Sequence, residues 1–319
     1  MARFLLRRIS FGIVVMWVVA TAVFILYFVA PHDPARLIAG RQATALTLND
    51  VRARLGMNLP LIDQYWHYIT RLLRGDLGYS YVNAEPVSTI IGQDLPVTAS
   101  VAGGGAVLWL LIGVSSGVLA SIRPRSVADR ATTGFALLFY SMPTFLLGEL
   151  LLLVLFYRLH LAGFNFFPGG GYVAITADPY GWFQHMILPW ITIALVTAAT
   201  YSRLTRGAML DVLGEDYIRT ARAKGLSERR VVFRHGLRAA LTPVVTQFGI
   251  DLGTLLGGII VTETVFSLPG LGQQIVNSID RQDLPVIIGL VLLASAFIVV
   301  ANIVVDALYA VLDPRVRLS

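Results

Sequence analysis

Apolar residues along this chain gather into long unbroken runs rather than recurring at every second or third position. Six such stretches run roughly from Ile9 to Ala30, Val101 to Ile122, Thr132 to Tyr157, Met186 to Leu204, Leu241 to Val265, and Leu284 to Leu312. About 20 mostly apolar residues are what a helix needs to cross a bilayer, and in lipid only a helix or a closed barrel satisfies its own backbone. The pattern predicts an all-α integral membrane protein with six transmembrane helices. The first run is too long for the apolar core of a signal peptide and no A-x-A site follows it, so it reads as an uncleaved helix.

The segments between these runs are unequal. Residues 31–98 form a large extracytoplasmic segment with a helical pattern of its own. Thr47 followed by Asp50 resembles a capping box, with Gly56 ending a short helix. Pro60 then sits near a first turn, Ile62, Tyr65, Trp66, Ile69, Leu72 and Leu73 follow at helical spacing, and Gly75 stops the run. This second helix reads as a cap on the outer membrane face, a docking surface for an external partner, or both. Residues 159–185, rich in Gly, Pro and aromatics, read as an outer loop or re-entrant elbow. The chain thus divides into residues 1–30 (cytoplasmic N-terminus and helix one), 31–98, and a five-helix core over 99–319.

Composition agrees with the pattern. Hydrophobic residues make up 56% of the chain and charged ones 14%, against roughly 25% charged in a soluble domain. An ordinary water-soluble enzyme and a disordered chain are excluded. With the N-terminus in the cytoplasm, the inner segments hold 17 of the 25 basic residues, including Arg203, Arg206, Arg219, Arg222, Lys224, Arg229, Arg230, Arg234 and Arg238 between helices four and five. That is the positive-inside distribution. It places both termini of a multi-pass protein in the cytoplasm, and assigns the net charge of +6 to membrane orientation rather than to nucleic acid.

Several chemistries are missing. The chain has no Cys, so thiolate catalysis and Cys metal sites are excluded. Its one lysine, Lys224, precedes Gly225 and Leu226 and so cannot end a phosphate-binding G-x-x-x-x-G-K-[ST] loop. Any ATP-driven work needs a nucleotide site on another subunit. The five histidines are scattered without H-E-x-x-H spacing, and no G-x-S-x-G elbow occurs. The reading is a non-catalytic membrane subunit with no cofactor or metal of its own.

Residues 206–240 hold charges of both signs among small residues. Glu215 and Asp216 begin a run in which Tyr217, Ile218, Ala221 and Leu226 fall at near-helical spacing, and Gly225 lies near its end, which suits the helix dipole and a glycine stop. A second helix is predicted from Glu228 toward Ala240. From physics alone this is either a solvated amphipathic loop or a compact lever that fits a cleft in a cytosolic partner and moves helix five.

The segment resembles the coupling loop of binding-protein-dependent ABC importer permeases, whose general pattern is E-A-A-x-x-x-G followed by I-x-L-P. Aligned on Gly225, Ala221 matches the second alanine, while Arg219 and Thr220 replace the Glu and first Ala; Leu237 matches the Leu and Arg238 replaces the Pro. The version E-D-Y-I-R-T-A-R-A-K-G-L, with R-H-G-L-R-A-A-L-T-P-V after it, is similar to that of the dipeptide/oligopeptide/nickel subfamily. So are Arg3–Ile9, Pro31-His32-Asp33-Pro34 (with His32 in place of Gly), Gly75–Ser80, Leu95–Thr98, and Thr262–Phe266 leading to Pro269-Gly270-Leu271-Gly272. The long segment after helix one resembles the B-type permease of that subfamily, and the resemblance implies a prokaryotic plasma (inner) membrane. The resemblance implies the ABC importer type I permease fold, a heterodimer with a sister permease, two ATPase subunits that bind ATP and Mg, and an extracytoplasmic substrate-binding protein. It carries ATPase contact onto Glu215, Asp216, Arg219, Ala221, Ala223, Lys224 and Gly225, with Ala221 and Gly225 placing the helix and the charged members docking it. The substrate class it implies is a peptide or related small solute, which the chain itself does not specify among dipeptides, longer peptides, nickel complexes and haem.

Helix five carries a second signal. Gly249, Gly253 and Gly257 stack on one face as a doubled G-x-x-x-G for close helix packing, while Gln247, Asp251, Thr254, Gly258 and Thr262 cluster opposite. A mid-helix carboxylate costs about 2.5–3.5 kcal/mol in lipid, so Asp251 is expected to face protein or a water-filled pathway. Glu149 in helix three, and Asp306 one turn after Asn302, are similar but more isolated cases. Two other readings stay open: a self-contained secondary transporter relaying protons through Asp251 and Glu149, and, third, a membrane-embedded hydrolase.

Overall fold

The computed structural model describes residues 2–26, 44–54, 58–80 and 82–312. Helices dominate: α1 (Ala2–Phe24), α2 (Ala45–Arg54), α3 (Leu61–Leu73), α4 (Val87–Ile122), α5 (Val127–Tyr140), α6 (Thr144–Leu161), α7 (Pro179–Leu213), α8 (Asp216–Ala223), α9 (Leu237–Val265), α10 (Leu271–Asp280) and α11 (Leu284–Leu312). Strands β1 (Tyr79–Ser80) and β2 (Glu85–Pro86) pair antiparallel just before α4. Among the described residues five helices are long and apolar enough to cross a membrane, over Leu6–Phe24, Val87–Ile122, Thr144–Leu161, Pro179–Leu213 and Leu284–Val304. α9 has 29 residues, which at 1.5 Å each reaches about 43 Å.

The helix bounds depart from the apolar runs in instructive places. The stretch expected as one span from Thr132 to Tyr157 is two helices, broken at Ser141–Pro143. The residue before a proline is pushed out of the α region, and Pro143 itself has ψ 135°. α4 begins at Val87 rather than Val101 and continues through Pro96. α2 begins at Ala45, so Thr47 lies inside it rather than at its cap, and Gly56 lies outside the described residues. The helix expected over 61–73 is present, stopped by Gly75 at φ +77°. The helix expected from Glu228 forms as one turn, Glu228–Arg230, then a π-helical turn, Val231–Gly236, that runs unbroken into α9.

The chain forms two compact units. One comprises Met1–Leu95 and Gln274–Ile303, the other Pro96–Gln273 and Val304–Ser319. In the first unit, Phe24 at the end of α1 packs against Tyr65 and Tyr68 of α3, with ring centroids 5.2 and 5.6 Å apart. Ser80 of β1 donates to Asp283, and both are buried. In the second unit the core lies where α4, α7 and α9 meet, around Trp109, Met186, Ala194, Ala198, Tyr201, Val244 and Ile259. The Gly113 and Gly117 pair lets α4 approach α7: a methyl group at Gly113 would lie 2.5 Å from Tyr201 Cβ, and one at Gly117 2.7 Å from the Ser202 carbonyl.

Candidate functional site

Two features of the second unit carry the residues singled out above. The first is a knob between α7 and α9. Gly214 follows the last turn of α7, and Glu215 opens α8 with its carbonyl accepting from the Ile218 and Arg219 amides at 3.1 and 3.2 Å. At the far end Gly225 takes φ +76°, its amide reaching the Arg222 carbonyl at 2.9 Å and the Leu226 amide the Ala221 carbonyl at 3.3 Å. This is the paired C-terminal bonding of a Schellman stop, which needs a left-handed residue and so favours glycine.

Beneath α8, Ile218, Ala221 and Val231 are buried and pack with Val212, Leu213 and Leu226. Burying a side chain the size of Ile218 stabilises by about 1.5–3 kcal/mol, so α8 is held onto the ends of its neighbours. Arg222 closes the knob with a forked pair to Glu228, at 3.1 and 2.7 Å. The Arg222 hydrogen bond holds the Glu228 carboxyl below the usual range, and Glu228 in turn raises Arg222. Glu215, Asp216, Tyr217, Arg219, Ala223, Lys224 and Gly225 face outward. Of the residues expected to contact an ATPase, Ala221 alone is turned inward.

The second feature surrounds Asp251 on α9. Gln247, one turn earlier, donates its amide to Asp251 Oδ1 at 2.9 Å, and the Tyr201 hydroxyl of α7 donates to Oδ2 at 2.8 Å. The carboxylate borders a cavity of about 170 Å³ lined also by Trp109, Thr144, Ile193, Thr197 and Leu255. Gln247 and Asp251 are therefore brought together. Thr262 is buried and lies outside this cavity's lining. The side chains of Thr254, and the surroundings of Gly253, Gly257, Gly258 and Asp306, lie outside the described residues. Glu149 is exposed on α6. Tyr201 and Trp109 were not singled out from sequence; Trp109 stands in an aliphatic run and Tyr201 between Thr200 and Ser202, and neither context signals a partner for Asp251.

A further carboxyl, Glu263, entered above only as part of the Thr262–Phe266 run. Glu263 is fully buried; its Oε1 accepts from the Thr98 hydroxyl at 2.6 Å and its Oε2 from the Gly272 and Gln273 amides at 2.7 and 3.0 Å. These amides open α10, so the carboxyl occupies an anion site at a helix N-terminus. At the start of α5, Asp129 receives Arg206 Nε and Nη2 at 2.6 and 2.9 Å. That guanidinium, with the Arg125 amide, holds the Asp129 carboxyl down to about 2. Among the described residues no group of His, Asp and Glu is arranged to hold a metal.

Comparison with known proteins covers nearly the whole chain. Residues 110–318 match the family described as the inner membrane component of binding-protein-dependent transport systems, and residues 1–102 match the N-terminal family of the same components. A probable peptide ABC transporter permease of Sinorhizobium fredii is 39% identical over 317 residues, 99% of this chain and 100% of that protein. Glutathione transport system permeases of Escherichia coli and Salmonella choleraesuis are 40% and 41% identical, each over 99% of both chains.

Proposed function

This chain belongs to the inner-membrane components of binding-protein-dependent transport systems, the permeases of ABC transporters, and we propose that it forms half of the pathway of an ATP-driven peptide importer. It is a multi-pass membrane protein, and in this reading it has six spans: α1, α4, α6 with α5, α7, α9 and α11. The excess of Lys and Arg in residues 206–240 puts α8 at the cytoplasmic face with both termini. A sister permease completes the pathway, two ATPase subunits bind ATP and Mg, and an extracytoplasmic binding protein delivers the solute to the segment after α1. The substrate class follows the relatives, one named for peptides and others for the tripeptide glutathione.

The observation that carries this reading is the two-sided build of α8. Ile218 and Ala221 are buried against the chain, while Glu215, Asp216, Arg219 and Lys224 project outward. A partner that grips the outward charges moves α8 as a rigid piece, and the unbroken path from Glu228 through the π-helical turn passes that motion to α9. On α9 the motion reaches Asp251 and its cavity, which we assign to the pathway with Gln247; Thr254, Gly258 and Thr262 continue that face of the helix.

Gly225→Arg tests the coupling. It places a bulky cation on the outer elbow and strains a left-handed position by about 1–2 kcal/mol. The variant is expected to insert and assemble while binding-protein-stimulated ATP hydrolysis and uptake both fall. Unchanged uptake by that variant would remove the coupling role of α8. A self-contained transporter is tested in the same preparation, since solute accumulation by this chain without companion subunits would contradict the proposal.

A further inference from the structure

The first unit contains an apolar cavity that the transport reading leaves unused. Its volume is about 650 Å³, and its walls are α1, through Gly12 and Trp17, and α11, through Leu293 and Ala296. Ile69 and Leu73 of α3 roof one end. Every other lining residue is likewise aliphatic or Met, so apart from the Trp17 indole N–H no side chain there can hold a water molecule by hydrogen bonds. Water entering it would find no side-chain partner beyond that indole, so apolar matter is the favoured occupant.

Position says what fills it. Both walls belong to candidate membrane spans, Leu6–Phe24 and Leu284–Val304, so the cavity opens to hydrocarbon rather than to water. The lining run on α1 extends from Ile9 to Ala20, about 16 Å at 1.5 Å per residue. That is the depth of one leaflet of an approximately 30 Å core. A bilayer supplies acyl chains of about that length at such a place, and a partner's helix is the competing occupant.

α3 marks the entry end. Tyr65 binds Thr21 of α1 at 2.9 Å and stacks on Phe24, pinning α3 to the end of that span. Next to this contact, Ile62, Trp66, Ile69 and Leu73 fall on one strip of the helix. Ile62, Trp66 and Leu73 are 68%, 59% and 84% exposed. An amphipathic helix with an exposed Trp on its apolar side suits the plane of a membrane interface. Arg74, directly after Leu73, is exposed at the same end, where a guanidinium pairs well with phosphate.

We propose that this cavity holds one acyl chain of a membrane phospholipid, with its phosphate at the α3 end beside Arg74. The site is a fixed lipid position between α1 and α11, separate in kind from the solute pathway.

The test uses the assembled transporter in nanodiscs of phosphatidylethanolamine and phosphatidylglycerol, the latter carrying a diazirine midway along one acyl chain. After irradiation, adducts are mapped by mass spectrometry. Labelling at Trp17, Leu293 and Ala296 is expected to exceed by several-fold that at Val18 and Val300, which are exposed on the same helices but outside the cavity. Ala296→Trp and the milder Leu293→Phe, which fill the space, should remove the excess at Trp17 and leave Val18 and Val300 unchanged. Equal labelling of lining and non-lining positions in the unaltered chain would overturn the proposal. So would protein–protein cross-links from a photoreactive residue at Leu293 in place of lipid adducts. Neither result depends on solute transport, so the lipid site and the importer reading can fail independently.

Discussion

Two carboxyls on α9 stand twelve residues apart, about 18 Å along the helix, and their surroundings differ. Glu263 is enclosed. Two of its donors are backbone amides that open α10, and Gly270 packs so closely that a methyl there would lie 2.3 Å from Oε1. Asp251 borders a cavity and takes its bonds from the side chains of Tyr201 and Gln247. Backbone donors in a closed cradle cannot leave without unwinding α10, whereas the half-buried Gln247 amide can rotate away. In a helix where any acid is costly in lipid, the kind of donor distinguishes the framework carboxyl from the one we propose lines the pathway.

The strongest way to break this contrast is Glu263→Leu. It leaves the Thr98 hydroxyl and the Gly272 and Gln273 amides buried without their acceptor, and each such group costs about 1–3 kcal/mol. A loss of roughly 3 kcal/mol or more is expected, read as a large fall in the apparent Tm and in the yield of monodisperse protein. Glu263→Gln keeps an acceptor oxygen for the amides and should recover much of it. A Glu263→Leu chain as stable as the original would mean that the cradle is not framework.

Asp251→Leu is expected to be milder in stability and larger in function. The half-buried Gln247 amide can turn aside, but the buried Tyr201 hydroxyl loses its acceptor at about 1–3 kcal/mol. The apparent Tm should therefore fall by less than in Glu263→Leu, while uptake falls or its solute range shifts in reconstituted vesicles. Normal uptake kinetics would make Asp251 a structural residue like Glu263 and erase the distinction.

Asp129 extends the enclosed class to a charged partner. Its folded pKa lies near 2, below the ordinary carboxylate value of about 3.9. The stabilisation from the Arg206 clamp is therefore full above about pH 4 and is lost as pH falls toward 2. Arg206→Gln should flatten the acid limb of stability against pH in that window, followed by thermal unfolding in detergent. An identical acid limb in the variant would show that the clamp does not contribute.

Sequence carried the framework well where one physical rule acts alone. Long apolar runs located most of the long helices, because hydrocarbon leaves no other choice of backbone. Gly75 and Gly225 marked helix stops, since both turns require φ near +76°. The i, i+4 spacing of Gln247 and Asp251 already implied their contact. The misses arise where a second rule competes. Pro143 splits a run that hydropathy alone joins, while Pro96 sits inside α4 without ending it. The partners of Asp251 and Glu263 come from α7, α4 and α10, and no periodicity along α9 encodes what packs against it.

The smallest expected effect concerns the knob. Arg222 and Glu228 form a forked pair at 2.7 and 3.1 Å, but their side chains remain 42% and 57% exposed. Exposed pairs contribute about 0.2–1 kcal/mol and weaken with salt. Arg222→Ala should therefore lower the apparent Tm only slightly, and the difference should vanish at high ionic strength, because burial of Ile218, Ala221 and Val231 continues to hold α8. Coupling is the finer readout: if the knob transmits motion as we propose, its buried side is intact in this variant and stimulated ATP hydrolysis should persist. A Tm loss comparable to that of Glu263→Leu would show that enclosure does not rank these carboxyls.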